Sequence, residues 1–113
     1  PLPVWGDGKQ TRAFVYVSDT VDGMMLAIEK QAYGEVFNIG TEEEIKIKDL
    51  VALIIKIFGS SIEIKFDQKH LGGQPRRNAD ISKAKKILGY SPKVTLEEGL
   101  RETINWYKQR EVK

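Results

Sequence analysis

The stretch Trp5-Gly6-Asp7-Gly8-Lys9-Gln10-Thr11-Arg12-Ala13-Phe14-Val15-Tyr16-Val17-Ser18-Asp19 decides how the rest of this chain is read. Gly6-Asp7-Gly8 asks for positive φ and a tight reversal. Residues 11–17 are β-branched or aromatic almost throughout and read as a strand. Ser18 or Asp19 then offers an oxygen to cap a helix beginning near Val21. This arrangement sets Gln10 and Arg12 at a strand mouth, beside glycines that let a ligand approach the backbone. Such a place suits an anion, although arginines at strand ends are also ordinary solvated residues.

The bounds around this stretch are those of one small domain over residues 1–113. With 41% hydrophobic and 30% charged residues the composition is that of a globular chain rather than a disordered one. There is no cysteine and one histidine, which excludes a disulfide framework, a thiolate metal site and a histidine cluster. No apolar run reaches the length of a membrane span and no charged region precedes an apolar one at the start, so a cytoplasmic setting is the default expectation. The net charge of +2 does not by itself imply nucleic acid. Lys65, Lys69, Arg76, Arg77, Lys83, Lys85, Lys86 and Lys93 nevertheless outweigh Asp67 and Asp80 over one region, and a local excess of this kind suits an anionic ligand.

Taken in order, residues 1–4 read as an extended lead-in, because two prolines disfavour helix. Residues 21–31 form an amphipathic helix with Val21, Met24, Met25 and Ile28 on its buried face. Residues 35–40 read as a short strand, with Asn38 as a turn former. Ile45-Lys46-Ile47-Lys48 is extended, and a helix follows with Leu50, Leu53, Ile54 and Ile57 on one face. Residues 62–66 alternate as a strand, and residues 67–78 are a long loop without periodicity. Asp80 caps a helix ending at Leu88 before Gly89. Thr95-Leu96-Glu97-Glu98 is a capping box opening a last helix whose stripe is Leu96, Leu100, Ile104 and Tyr107, with Trp106 packed beside them. The alternation gives an α/β (α+β) class with a small, partly parallel sheet and about four helices.

The opening stretch, Gly-Asp-Gly-x-Gln-Thr-Arg-x-Phe-x-Tyr-Val-x-Asp, resembles a segment of the extended short-chain dehydrogenase/reductases that act on nucleotide sugars. A second segment agrees. A loop with Arg76 and Arg77 leads into Asp80-Ile81-Ser82-Lys83-Ala84, then Leu88-Gly89-Tyr90-Ser91-Pro92 and Leu96-Glu97-Glu98-Gly99-Leu100. Phe37-Asn38-Ile39-Gly40 also fits the family. The motifs are closest to those of GDP-mannose 3,5-epimerases and UDP-glucuronate decarboxylases. The resemblance implies the C-terminal, substrate-binding region of an NAD(P)-dependent nucleotide-sugar epimerase/dehydratase, with a nucleoside diphosphate sugar as ligand. It implies that Arg12 contacts the diphosphate, with Gln10 beside it and a loop arginine clamping from the other side. Where 4-epimerases and 4,6-dehydratases carry that arginine, about ten residues before the aspartate, this chain has His70, so Arg76 or Arg77 becomes the substitute. Family members also cap the second helix with Ser or Thr where Lys46 stands, a departure expected to cost about 1 kcal/mol.

Two parts of the family's chemistry are absent from the residues. No glycine fingerprint on a strand–loop–helix unit holds a dinucleotide. No tyrosine has a lysine four residues on: Tyr16, Tyr33, Tyr90 and Tyr107 are followed there by Thr20, Phe37, Val94 and Glu111. The expectation is therefore a chain with no catalytic residues, binding neither NAD nor NADP alone and lacking the N-terminal Rossmann domain. An apolar face that this domain would cover invites self-association. Nucleic acid and membrane are not expected partners. The competing classes are a stand-alone interaction module of the same fold and a basic nucleic-acid-binding domain built on residues 76–86, which lacks interleaved aromatics.

Overall fold

The computed structural model describes residues 1–111 in the order β1 (Leu2–Trp5), β2 (Thr11–Ala13), α1 (Val17–Glu29), β3 (Glu44–Lys46), α2 (Ile47–Phe58), β4 (Ile64–Asp67), β5 (Arg76–Arg77), α3 (Ser82–Leu88) and α4 (Leu96–Glu111). One sheet joins β1 to β4 and a second has the order β3-β2-β5. Both β1–β4 and β2–β5 run parallel. The mixed α/β class with partly parallel sheets and four described helices is as the sequence suggests.

The chain forms two compact units: residues 1–12, 45–77 and the chain from Glu97 on, and residues 13–44 with 78–96. In the first unit, residues 2–5 are not a lead-in but a strand, paired Leu2↔Ile64 through Trp5↔Asp67. Only Pro3 interrupts its donors, and a parallel partner fixes the rest. Gly6 and Gly8 then turn the chain with φ of 76° and 71°. Gly8 is close-packed, since a Cβ there would lie 2.7 Å from the Phe66 ring and 2.8 Å from Lys48. Helix α2 begins at Ile47, after Lys46 at the N-cap position, whose side chain caps nothing. Its first amides are satisfied from elsewhere: Ile47 N–H donates to the Gln10 carbonyl and Lys48 N–H to the Gly8 carbonyl, each at 2.9 Å. The stripe Leu50, Leu53, Ile54 and Ile57 is half-buried. On α4, Ile104 is buried, whereas Tyr107 and Trp106 are exposed, and Arg110 covers the Trp106 ring at 4.7 Å.

The second unit holds the main core, Ile81, Ala84, Leu88 and Tyr90, with Leu26, Ala27, Phe37 and Ile39 packed on it. Helix α1 starts at Val17, earlier than expected, with no side-chain cap. Asp19 is instead turned inward, 1% exposed, accepting the Lys93 N–H at 2.9 Å and the Val94 N–H at 3.0 Å. The inner face of α1 is thus Asp19, Gly23, Leu26 and Ala27, with Ile39 seated where a Gly23 side chain would be. The expected inner stripe is outward: Val21, Met24, Met25 and Ile28 are 49%, 59%, 49% and 62% exposed. Glycine carries no hydrophobic signal, so the pattern pointed to the other face. Residues 35–40 are not a strand, because no described strand pairs with them. They are held by α3 side chains and by Asn38. Lys83 forms an ion pair with Glu35 at 2.6 Å and donates to the Val36 carbonyl at 2.9 Å, and Asn38 Nδ2 donates to the Asp80 carbonyl at 3.3 Å. Asp80 Oδ1 accepts the Ser82 N–H at 2.9 Å, and hydrogen bonding from the Ser82 side chain first, and from that N–H second, holds its carboxyl below the usual carboxylate range. No described helix is long and apolar enough to cross a membrane.

Candidate functional site

The residues singled out above are brought together in the first unit by strand register. Segment 67–78 is not wholly loop: Arg76–Arg77 pairs with β2 as Thr11↔Arg76 and Arg12↔Arg77. Paired residues of parallel neighbours share a sheet face, about 4.8 Å apart, and alternate faces along the strand. Arg12 and Arg77 therefore stand on one face and Arg76, beside Thr11, on the other. Two guanidiniums on one rung repel each other unless an anion lies between them.

Two connections run from the first sheet to the second, residues 6–10 and residues 68–75. They are stitched together. Thr11 N–H donates to the Pro75 carbonyl at 2.9 Å. Arg12 Nη1 donates to the Thr11 carbonyl at 2.7 Å and to the Gln74 carbonyl at 2.8 Å, which fixes the orientation of its guanidinium. Gln10 Nε2 donates to the Trp5 carbonyl at 3.2 Å. A Cβ on Gly72 would strike the Gln10 amide, which would have to move aside, and one on Gly6 would lie 3.1 Å from the Gly72 backbone nitrogen. Between the connections lies a cleft of about 350 Å³ lined by Asp7, Lys9, Gln10, Gln68, Leu71 and Gly73 among others. It is open to solvent, and its lining mixes the polar Asp7, Lys9, Gln10 and Gln68 with the apolar Leu71 and Pro75, suited to a ligand with both polar and apolar parts.

One cluster here escapes sequence reading. Trp5 and Asp67 are ladder partners, and His70 folds back onto both. Its ring stacks on Trp5 with centroids 4.9 Å apart, and Nδ1 lies 2.8 Å from Asp67 Oδ2. Asp67 Oδ1 accepts the Lys69 N–H at 3.0 Å. The His70 bond first, and the Lys69 amide second, keep the Asp67 carboxyl below its ordinary value. The only sequence signal was Asp67 preceding His70 by one helical-turn spacing, which a solvated loop shows as readily.

The residues of this chain do not fit the dinucleotide chemistry of the family. The Gly6-x-Gly8 turn does follow a strand, contrary to the reading of residues 1–4, but it leads to β2 and not to a helix. The open side of Gly8 is filled by Phe66 and Lys48, leaving no cradle for a pyrophosphate. Tyr90 is buried with its hydroxyl donating to the Gly40 carbonyl at 2.9 Å. Burial, then Asp19 and Asp22, push its pKa up, opposite to what a proton-abstracting tyrosine needs.

Comparison with known proteins places the chain in a family. A family model described as GDP-mannose 4,6 dehydratase matches residues 1–103. UDP-glucuronic acid decarboxylase 1 of Xenopus tropicalis is 42% identical over 96% of this chain and 25% of its own length. UDP-N-acetyl-alpha-D-glucosaminuronate decarboxylase of Bacillus cytotoxicus is 38% identical over 97% of this chain and 36% of its own. The crystal structure of UDP-glucuronic acid 4-epimerase from Bacillus cereus, in complex with UDP-glucuronic acid and NAD, aligns with a TM-score of 0.85 and 41% identity over 97% of this chain and 36% of that one. The chain thus spans a quarter to a little over a third of the length of these relatives. Because the family match runs through both compact units and includes the Arg12 and Arg77 segments, the chain belongs to the NAD-dependent nucleotide-sugar epimerase/dehydratase family, the extended short-chain dehydrogenase/reductases.

Proposed function

We propose that residues 1–113 are the nucleoside-diphosphate-sugar-binding region of an NAD(P)-dependent epimerase, dehydratase or decarboxylase. The observation that carries this reading is the shared rung of Arg12 and Arg77. A diphosphate presents paired anionic oxygens, and two guanidinium forks from separate strands meet them with charge-assisted hydrogen bonds. Gln10 and the cleft beside it accept the neutral part of the nucleotide. Arg76, on the opposite face, adds positive potential rather than a direct bond. The hydride and proton chemistry belongs to residues that this chain does not carry.

The same reading explains the outer face of α1. Val17, Val21, Met24, Met25 and Ile28 make a second apolar stripe on a helix that already buries its other side. A helix apolar on both faces belongs between two layers. Its cover in the parent enzyme is the cofactor-binding Rossmann domain; without that domain, self-association takes its place.

The test is calorimetric titration of the chain with UDP and with uridine. UDP is expected to bind and uridine to bind far more weakly. Arg12→Ala is expected to weaken UDP by about 10- to 100-fold, the range for losing charge-assisted bonds. Equal affinity for UDP and uridine, or an unchanged Arg12→Ala affinity, refutes the site.

A further inference from the structure

We infer that His70 is a positioning residue for the anion site, holding residues 68–75 as a strap whose far end orients Arg12. The inference rests on the diphosphate-binding reading above. The contacts form a continuous path through the structure. At the near end the strap leaves β4 at Asp67, whose carboxylate is held by its own strap, through the Lys69 N–H and His70 Nδ1. Because a carboxylate only accepts, Nδ1 carries the proton in this contact. The imidazole also lies flat on Trp5, 16° from parallel. Trp5 in turn gives its carbonyl to Gln10. At the far end, the Gln74 carbonyl accepts from Arg12 and the Pro75 carbonyl from Thr11.

Little else pins the strap from within. Leu71, at the cleft, is 89% exposed. Gly72 and Gly73 are backbone-permissive, so the segment needs an external anchor to hold one conformation. Strap, turn and Arg12 make one hydrogen-bonded unit, and the ring contact is its side-chain anchor. An arginine fork whose orientation is fixed before the phosphate arrives binds it more tightly, because less ordering entropy is lost on binding.

The experiment uses the chain with Trp106→Phe, leaving Trp5 as the sole indole of the two tryptophans. Three variants are compared in it. His70→Ala removes both contacts, His70→Phe keeps a ring on Trp5, and His70→Gln keeps a donor for Asp67. Trp5 emission, amide exchange of residues 68–75 and UDP affinity are measured for each. His70→Ala is expected to shift Trp5 emission, raise strap exchange and weaken UDP binding about three- to tenfold, the scale of one lost ring pair or hydrogen bond. His70→Phe and His70→Gln are expected to restore each part of that loss, at an unchanged urea midpoint. Strap exchange in His70→Ala equal to the native value overturns the anchoring role, because exchange is read without ligand. Raised exchange with native UDP affinity overturns the positioning role. Arg12→Ala, run alongside, separates the two claims: if it binds UDP as the native chain does, the anion site itself is misplaced.

Discussion

The two compact units differ in what holds them. The second carries a side-chain core: Ile81 and Ala84 are fully buried, Leu88 is 1% exposed and Tyr90 2%. Its buried polar groups are satisfied from within, Asp19 by the Lys93 and Val94 amides and Tyr90 by the Gly40 carbonyl. Among the described side chains larger than glycine, the first unit buries only Val4, at 4% exposed, and Ile104, at 8%, and no residue of α2 is buried. Its order comes from main-chain bonds between neighbouring connections, as when residues 8 and 10 supply the carbonyls that α2 needs. The arginines sit in this second kind of environment. A binding residue there is placed by register and hydrogen bonds, so small changes move it without unfolding the chain.

The contrast can be broken most forcefully at Leu88. Leu88→Ala opens a cavity in the core of the second unit and is expected to cost about 2–5 kcal/mol, read from the urea midpoint. UDP affinity of the molecules still folded should stay native. A parallel loss of affinity would mean that the site depends on that core after all.

The next effect sharpens the register argument. Arg77→Ala should weaken UDP about 10-fold or more, whereas Arg76→Ala, on the other face, should cost about threefold at most through long-range charge. Calorimetry at one salt concentration decides it. If Arg76 proves the costlier loss, the diphosphate lies on the opposite face of β2 and β5.

How much of this was legible in the sequence follows the same division. Features set by neighbouring residues could be read: the Gly6 and Gly8 turn, the Asp80 bond to the start of α3, the Gly89 stop and the start of α4 after Thr95. The family motifs named the segments that carry Arg12 and Arg77. Pairings between distant residues could not be read. Nothing local says that residues 2–5 find β4 or that Arg77, not Arg76, shares the face of Arg12. The inner face of α1 was hidden because it contains Gly23 and a buried carboxylate, while the outer face carries the stronger apolar pattern. Residues 35–40 have strand composition, yet a strand exists only with a partner, and none of the described strands supplies one. His70 looked like a solvated loop residue because its two contacts depend on the β1–β4 register.

The smallest expected effect tests the main-chain side of the comparison. From sequence, Lys46 at the N-cap of α2 is a defect worth about 1 kcal/mol, repairable by serine. In the structure the Ile47 and Lys48 amides already donate to the Gln10 and Gly8 carbonyls. A serine hydroxyl reaches the second or third amide of a helix, so only the Asp49 N–H remains for it to improve. Lys46→Ser should therefore raise stability by only about 0.3 kcal/mol, a shift near the limit of a urea titration. A gain of a full kcal/mol would mean that the 8–10 carbonyls hold α2 weakly in solution. Gln10 and Arg12, which follow directly from that turn, would then be less fixed than the hydrogen bonds imply, and the same variant would lower UDP affinity by competing for the turn.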